Sequence, residues 1–310
     1  RRSAEECNMP LFSGEYGYEL AAMVPWAYYR HRVDKCAVIT EGVEGSKYLY
    51  FFSKRHTIVH ETILKKYTVE LNRDMWLCRI FPCRPGLVPY QTKGKLRRRY
   101  QDLPPGNPFN NSRVHRDDMS FPTSRWLAPP FKEFYRRDDV ARTFVKPLVI
   151  IFNKYTVEWG EQPVNFIPLG ELREILTYLT ETYYVVYVRL ESKKLEDTDS
   201  RSCRFGDKTM IRAMFPESVV VLDDLLDDDV SPDGVNLMIF SLAALSDRFV
   251  SVQRGNSVVA SFFGGMNIIL AKRGAELTEG DYTYYHRFSN ATVEAVDDER
   301  ELVDRVKDRM

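Results

Sequence analysis

The sequence predicts an α/β fold of two doubly wound domains facing a cleft, and three observations carry that prediction. From Lys146 onward, short runs that are apolar at every position alternate with stretches of helical spacing, the pattern of parallel strands buried on both faces and joined by helices. The N-terminal part opens the same way, with strand, glycine loop, helix and second strand in succession. Between 82 and 137 the periodicity dissolves into Pro, Gly, Asn and charge, which separates the two patterned regions.

In the first region Met9-Pro10-Leu11-Phe12 reads as a short strand and Ser13 to Glu19 as a glycine loop. Leu20 to Tyr29 reads as a helix and Lys35 to Thr40 as a buried strand. Thr57 to Leu71 mixes strand and helix signals. In the second region the apolar runs are Pro147–Phe152, Tyr183–Val188, Ser218–Leu222, Phe249–Val252 and Asn267–Leu270. The helices are Leu169–Thr182, Lys208–Phe215, Gly234–Leu245 and one beginning at Asn256. The tail, Ala295 to Met310, reads as a charged amphipathic helix able to pack back on the N-terminal domain. These patterns divide the chain into an N-terminal domain over 1–140, with its irregular basic stretch at 82–137, a C-terminal domain over 141–290, and the final helix over 291–310.

Composition narrows the function classes. The 310 residues include 44 basic and 44 acidic side chains, so no global field draws in nucleic acid or an anionic membrane, and a charged ligand must be met locally. No window approaches the roughly 18 consecutive apolar residues of a membrane span. Membrane contact by this segment is therefore not expected. The first residue is Arg rather than Met, so an upstream signal, anchor or stem is compatible with the sequence. With an anchor the compartment would be the Golgi or ER lumen, and without one the cytoplasm. Two N-x-S/T triplets, at Asn110 and Asn290, lean towards a secretory route. The five cysteines form no C-x-x-C pair and exclude a zinc ribbon or a dense disulfide framework, leaving room for one bridge, with Cys78 and Cys83 as the candidate pair.

In a doubly wound sheet, ligands lie beyond the carboxyl ends of the strands, where helix N-termini offer unpaired N–H groups. Three of these strand ends carry a cation: Asn153-Lys154 after the first run, Arg189 after the second, and Gln253-Arg254-Gly255-Asn256-Ser257 after the fourth. Converging cations, a glycine that lets the backbone approach, and Asn256 or Ser257 as N-cap make a cradle for a diphosphate. Each cation alone is equally a surface salt-bridge partner. The basic run Lys93-Gly94-Lys95-Leu96-Arg97-Arg98-Arg99 suits either phosphates or a solvated loop.

The stretches Lys146–Tyr155, Glu158-Trp159-Gly160, Pro163–Phe166, Phe249–Ser257, Ala260–Gly265 and Phe12–Leu20 resemble GT-B-type glycosyltransferases, and more distantly the fucosyltransferases that use GDP-fucose. The resemblance implies two Rossmann-like domains. It also implies a GDP- or UDP-linked sugar as donor substrate and a glycan or glycoprotein acceptor, and it assigns Arg189 and Gln253 to Ser257 to the diphosphate. Gly14, Glu15 and Tyr16 come from the N-terminal domain. A second glycine is expected where Arg254 stands, and the replacement exchanges backbone approach for a cationic contact.

Such an enzyme removes a proton from the acceptor hydroxyl, and Glu15 is the preferred base, its alternative role being to cap the following helix. Glu158 and Asp199 are poorer candidates. No metal cofactor is expected: Asp197-x-Asp199 and Asp227-Asp228-Asp229 are not tight against a strand end, and His56-x-x-x-His60-Glu61 lacks a clear third ligand. A dinucleotide enzyme is disfavoured because no G-x-G-x-x-G follows an early strand. A non-catalytic glycan- or protein-binding module of the same fold remains the alternative. Tyr16, Tyr18, Trp26 and Tyr155 suit an acceptor groove or a core, with core the better assignment for Trp26.

Overall fold

The computed structural model describes residues 5–9, 16–58, 125–141, 144–158, 163–190, 200–202, 205–227, 229–253, 255–273, 275–278 and 281–310. The chain divides into two compact units, Arg1–Pro129 and Pro130–Met310. The second begins earlier than the boundary at 141 because helix α2 carries Phe131 and Tyr135, both buried, against Phe240, while Phe131 also meets Phe262 and Phe263.

In the first unit, β1 (Glu6–Asn8), β2 (Ala37–Gly42) and β3 (Arg55–Ile58) form a parallel sheet in the order β1-β2-β3. Of the strand expected at Met9–Phe12, Met9 N–H donates to the Ile39 carbonyl just beyond β1, and 10–12 lie outside the described residues. The expected helix is present but begins with a π segment, Glu19–Met23, before α1 (Val24–Arg32). Leu20, Met23, Val24, Trp26 and Ala27 are buried, so Trp26 belongs to the core. A disulfide joins Cys7 to Cys36. Parallel register makes it possible, since Cys7 stands opposite Val38, two residues from Cys36. Cys78 and Cys83 lie outside the described residues.

The second unit starts with α2 (Phe131–Tyr135), followed by β4 (Leu148–Phe152), β5 (Thr156–Glu158), α3 (Leu169–Thr182), β6 (Tyr184–Val188) and β7 (Ser200–Ser202). Then come α4 (Asp207–Met214), β8 (Val219–Val221), α5 (Pro232–Ala243), β9 (Arg248–Val252), α6 (Gly255–Phe262), β10 (Met266–Leu270), β11 (Thr292–Val296) and α7 (Glu299–Arg309). Six strands pair in the order β11-β10-β9-β4-β6-β8, all parallel. Numbered by their sequence among themselves, these strands run 6-5-4-1-2-3, the dinucleotide-fold order read from the other edge, and the order reverses between β4 and β9. β5 and β7 make a separate antiparallel pair.

Strand alternation sends Val149, Ile151, Val185, Tyr187, Val250, Val252, Ile268 and Leu270 to one face. There they pack with Leu172, Ile175, Leu176 and Leu179 of α3, Ile211 of α4 and Leu302, Val303 and Val306 of α7. Helix α6 packs on β9 and β10 outside that cluster, so helices cover both faces. The apolar stripe of the C-terminal helix, Leu302, Val303 and Val306, packs on the second unit's own sheet. Its C-terminal turn is tied there too, by the Tyr178 hydroxyl donating to the Lys307 carbonyl at 2.9 Å and the Tyr183 hydroxyl to the Met310 carbonyl at 2.7 Å. Glu174 holds both Arg300 and Lys307, which keeps its carboxyl down at about 2. The helix also starts later than expected, at Glu299 behind the Asp298 cap, because the preceding residues form edge strand β11.

Candidate functional site at the strand order reversal

The reversal between β4 and β9 brings two of the three expected segments to adjacent strand ends and sets the third beside them on β6. After β4, Asn153 is buried and bonded on every side. Its Oδ1 accepts from the Lys154 and Ile167 amides at 2.8 and 2.9 Å, and its Nδ2 donates to the Ile167 carbonyl and the Tyr187 hydroxyl at 3.2 and 3.0 Å. Asn153 therefore shapes the loop that carries Lys154; its own amide is committed within the fold. Tyr155 stacks on Phe205 at 4.3 Å and meets Phe166 edge-on, so its ring belongs to an aromatic cluster.

Arg189 departs most from expectation. Its side chain is only 2% exposed and forms a bidentate ion pair with Asp207, which is fully buried. The Tyr187 hydroxyl also donates to Asp207, and the guanidinium lies 5.9 Å from the Phe205 ring. Burial alone would raise the Asp207 carboxyl, but the hydrogen bonds from Arg189 and Tyr187 outweigh it and hold it below its ordinary value. Burial, followed by the charge of Asp207, pushes the Tyr187 phenol well up. The Arg189 charge is thus matched inside the fold. Asn153, Tyr187, Asp207 and Arg189 form one hydrogen-bonded chain linking the ends of β4 and β6 to the start of α4. The sequence pattern starts that helix at Lys208, one residue after Asp207; the pair spans 18 residues and only the β6–α4 geometry closes it.

At the end of β9, Gln253 N–H donates to the Leu270 carbonyl at 2.9 Å, extending the pairing by one residue. Helix α6 begins at Gly255, so Asn256 and Ser257 occupy its first turn rather than its cap. The Ser257 carbonyl accepts from Asn267 Nδ2 at 3.1 Å and Ser261 Oγ at 2.8 Å, and Ser251 Oγ bonds Asn267 Oδ1 at 2.8 Å. This buried polar cluster fixes the start of α6 against β9 and β10. Asn165 does the same after β10, its Oδ1 accepting from the Lys272 and Arg273 amides at 2.9 Å. Gln253 Nε2 donates to the Glu276 carboxylate. Glu276, beyond β10, went unread because nothing in sequence ties it to Gln253. Arg254, Gly14 and Glu15 lie outside the described residues. Tyr16 opens a short helical turn, Tyr16–Tyr18, in the first unit.

That unit contains a titratable group the sequence did not single out. Glu19, first residue of the π segment, is 3% exposed and accepts a 2.9 Å hydrogen bond from the Tyr50 hydroxyl. Burial pushes its carboxyl up to about 7, against the opposing effect of Tyr50. Tyr50 stacks on His56, whose Nδ1 and Nε2 meet the Thr40 and Ser46 hydroxyls at 2.8 and 3.0 Å. His56 is therefore a hydroxyl-bonded residue; His60, Glu61, Asp197, Asp199 and Asp228 lie outside the described residues. Among the described residues no cluster of three or more His, Cys, Asp or Glu is arranged for a metal.

The parallel α/β sheets, in two Rossmann-like units, have the fold that GT-B glycosyltransferases share. Two solved structures carry this. The ADP-heptose lipopolysaccharide heptosyltransferase II of E. coli is similar over 97% of this chain and 95% of its own, with a TM-score of 0.52 and 13% identity. A family 9 glycosyl transferase from Veillonella parvula is similar over 99% and 94%, with a TM-score of 0.51 and 8% identity. Neither is a fucosyltransferase. No family model and no curated protein sequence matches the chain.

Proposed function

We propose that this protein is a glycosyltransferase that moves a sugar from a nucleotide-diphosphate donor, GDP- or UDP-linked, to a hydroxyl of a glycan or glycoprotein. The observation that carries the reading is the reversal between β4 and β9, with α6 starting at Gly255 directly beyond β9. A helix start at that point directs backbone N–H groups and a positive dipole end at an anion. Lys154, Arg254 and the backbone of Gly255, Asn256 and Ser257 are assigned to the diphosphate. Arg189 and Asn153 are reassigned from direct contact to holding the β4 and β6 ends in place. Gly14 and Tyr16 keep their donor-side assignment.

In the transfer, the acceptor oxygen bonds to the anomeric carbon as the bond from that carbon to the diphosphate oxygen breaks. The acceptor proton passes to a base, for which Glu15 is our assignment, and the nucleoside diphosphate leaves with the bonding pair. The cations and the helix start supply the charge compensation, so no metal is required on this reading.

The test is binding followed by turnover. Thermal shift against UDP, GDP, CDP, ADP and their sugars, with and without EDTA, should show stabilisation by one nucleotide that survives EDTA and is lost in Arg254→Ala. Absence of any nucleotide response refutes the proposal. Binding without release of nucleoside diphosphate across an acceptor panel would favour a non-catalytic module of the same fold, to which the internal matching of Arg189 also lends support.

A further inference from the structure

Gln253 is 5% exposed, and its amide has only one of its two ends satisfied. Nε2 donates to Glu276, while Oε1 is buried and, among the described residues, has no hydrogen-bond partner. The orientation follows from chemistry: a carboxylate accepts only, so the amide must turn its NH2 towards Glu276 and leave its carbonyl oxygen for something else. A buried acceptor without a donor is costly, and in a native fold such an atom calls for an explanation. Gln253 stands at the end of β9, beside the reversal and one residue past the last strand pair.

These facts weigh against a phosphate contact through this side chain. One N–H of its amide is committed to Glu276, and the unpartnered atom is a carbonyl oxygen, which repels an anion. Gln253 Oε1 is an acceptor, and an acceptor recognises an O–H or N–H donor.

We propose that Gln253 Oε1 binds a hydroxyl of the donor's carbohydrate portion, with Glu276 fixing the amide orientation, and that the side chain takes no part in holding the diphosphate. The inference rests on the nucleotide-sugar reading above and refines it. It divides the crevice by chemistry: the anion is met by Lys154, Arg254 and the start of α6, and the neutral hydroxyl-bearing part is read at Gln253. Glu276 is a positioning residue here, because it acts through the amide.

Isothermal titration of the full chain tests this, using ADP, GDP, UDP and CDP, their sugar conjugates, their 2′- and 3′-deoxyribose analogues, and inorganic pyrophosphate. Gln253→Leu should weaken the preferred nucleotide or nucleotide sugar by about threefold to tenfold, the effect of one hydrogen bond. Pyrophosphate affinity should stay within twofold. The exchange variant Gln253→Glu with Glu276→Gln keeps both the internal hydrogen bond and an outward acceptor, so it should recover hydroxyl binding and shows that the loss in Gln253→Leu is not misfolding. Loss with the simple nucleoside diphosphate that vanishes for a deoxyribose analogue assigns the hydroxyl to the ribose. Loss confined to the sugar conjugate assigns it to the transferred sugar. Equal weakening of pyrophosphate and nucleotide by Gln253→Leu, or no weakening of either, overturns the inference alone. Failure of the unaltered protein to bind any nucleotide overturns the glycosyltransferase reading and this inference with it.

Discussion

Replacing Glu19 by Gln removes a titration from the core of the first unit while keeping an oxygen to accept the Tyr50 hydroxyl. Burial raises this carboxyl from 4.5 to about 7. Between those two values the folded chain holds a proton that the unfolded chain has released, so stability falls as pH rises through the window. The contribution is fully present below 4.5 and gone above 7. The rise from 4.5 to about 7, at about 1.36 kcal/mol per pH unit, corresponds to about 3 kcal/mol across the window. The amide has no such slope, so the stability difference between Glu19→Gln and the unaltered chain should grow from near zero at pH 4.5 to about 3 kcal/mol at pH 8. Urea unfolding at half-unit pH steps, followed by tryptophan fluorescence, reads this directly. Trp26 is in the same core, and the Trp126 indole donates to the Ala21 carbonyl within the π segment at 2.8 Å. A difference that stays flat from pH 5 to 8 would refute the claim that a protonated carboxyl is buried there.

Asp207→Asn should destabilise the second unit by about 3–5 kcal/mol in denaturant titration, because it leaves the Arg189 cation buried without its counter-charge. Adding Arg189→Met should recover part of that loss. Gly265→Ala should prevent or severely weaken folding, as judged by the thermal midpoint: its φ is +71°, and a Cβ would come within 2.1 Å of the Asp247 carbonyl oxygen. Gly170→Ala is the matched control, since nothing lies within 4 Å of a Cβ there, and it should raise stability by about 0.4–1 kcal/mol. Reducing the Cys7–Cys36 bridge, which closes a separation of 29 residues, should cost the first unit about 3–4 kcal/mol in a paired urea titration with and without dithiol.

The strands that could be read from sequence were those buried on both faces. β4, β6, β8, β9 and β10 are dominated by apolar residues because most of their side chains are buried, with Ser251 and Asn267 hydrogen-bonded to each other, and their boundaries fall within a residue or two of the apolar runs. Edge strand β11 was read as part of a helix because Glu294 interrupts its apolar residues, as expected where one face is half-exposed. β5 and β7 are three-residue partners rich in Thr and Ser, too short to show a period. Lys154 and Arg189 lie just after β4 and β6, but the partner of Arg189 is not legible in the sequence. Whether Arg189 faces a ligand or Asp207 depends on a contact made only once α4 docks beside β6. The Cys7–Cys36 bridge was hidden for the same reason, since parallel pairing of β1 with β2, not spacing, sets the two sulfurs together.

The reversal between β4 and β9 also bears on how the chain folds. Val149 and Arg248, paired across this seam, are roughly a hundred residues apart, so the seam closes a much longer loop than the β4–β6 or β9–β10 pairs on either side. The two halves of the sheet can each form from neighbouring strands, and joining them is the costly late step. The ends of β4 and β9 come side by side only with that step. A ligand held there would bind the joined sheet and neither half alone, so it would slow separation of the seam while leaving the nearer strand pairs to form at their own rate.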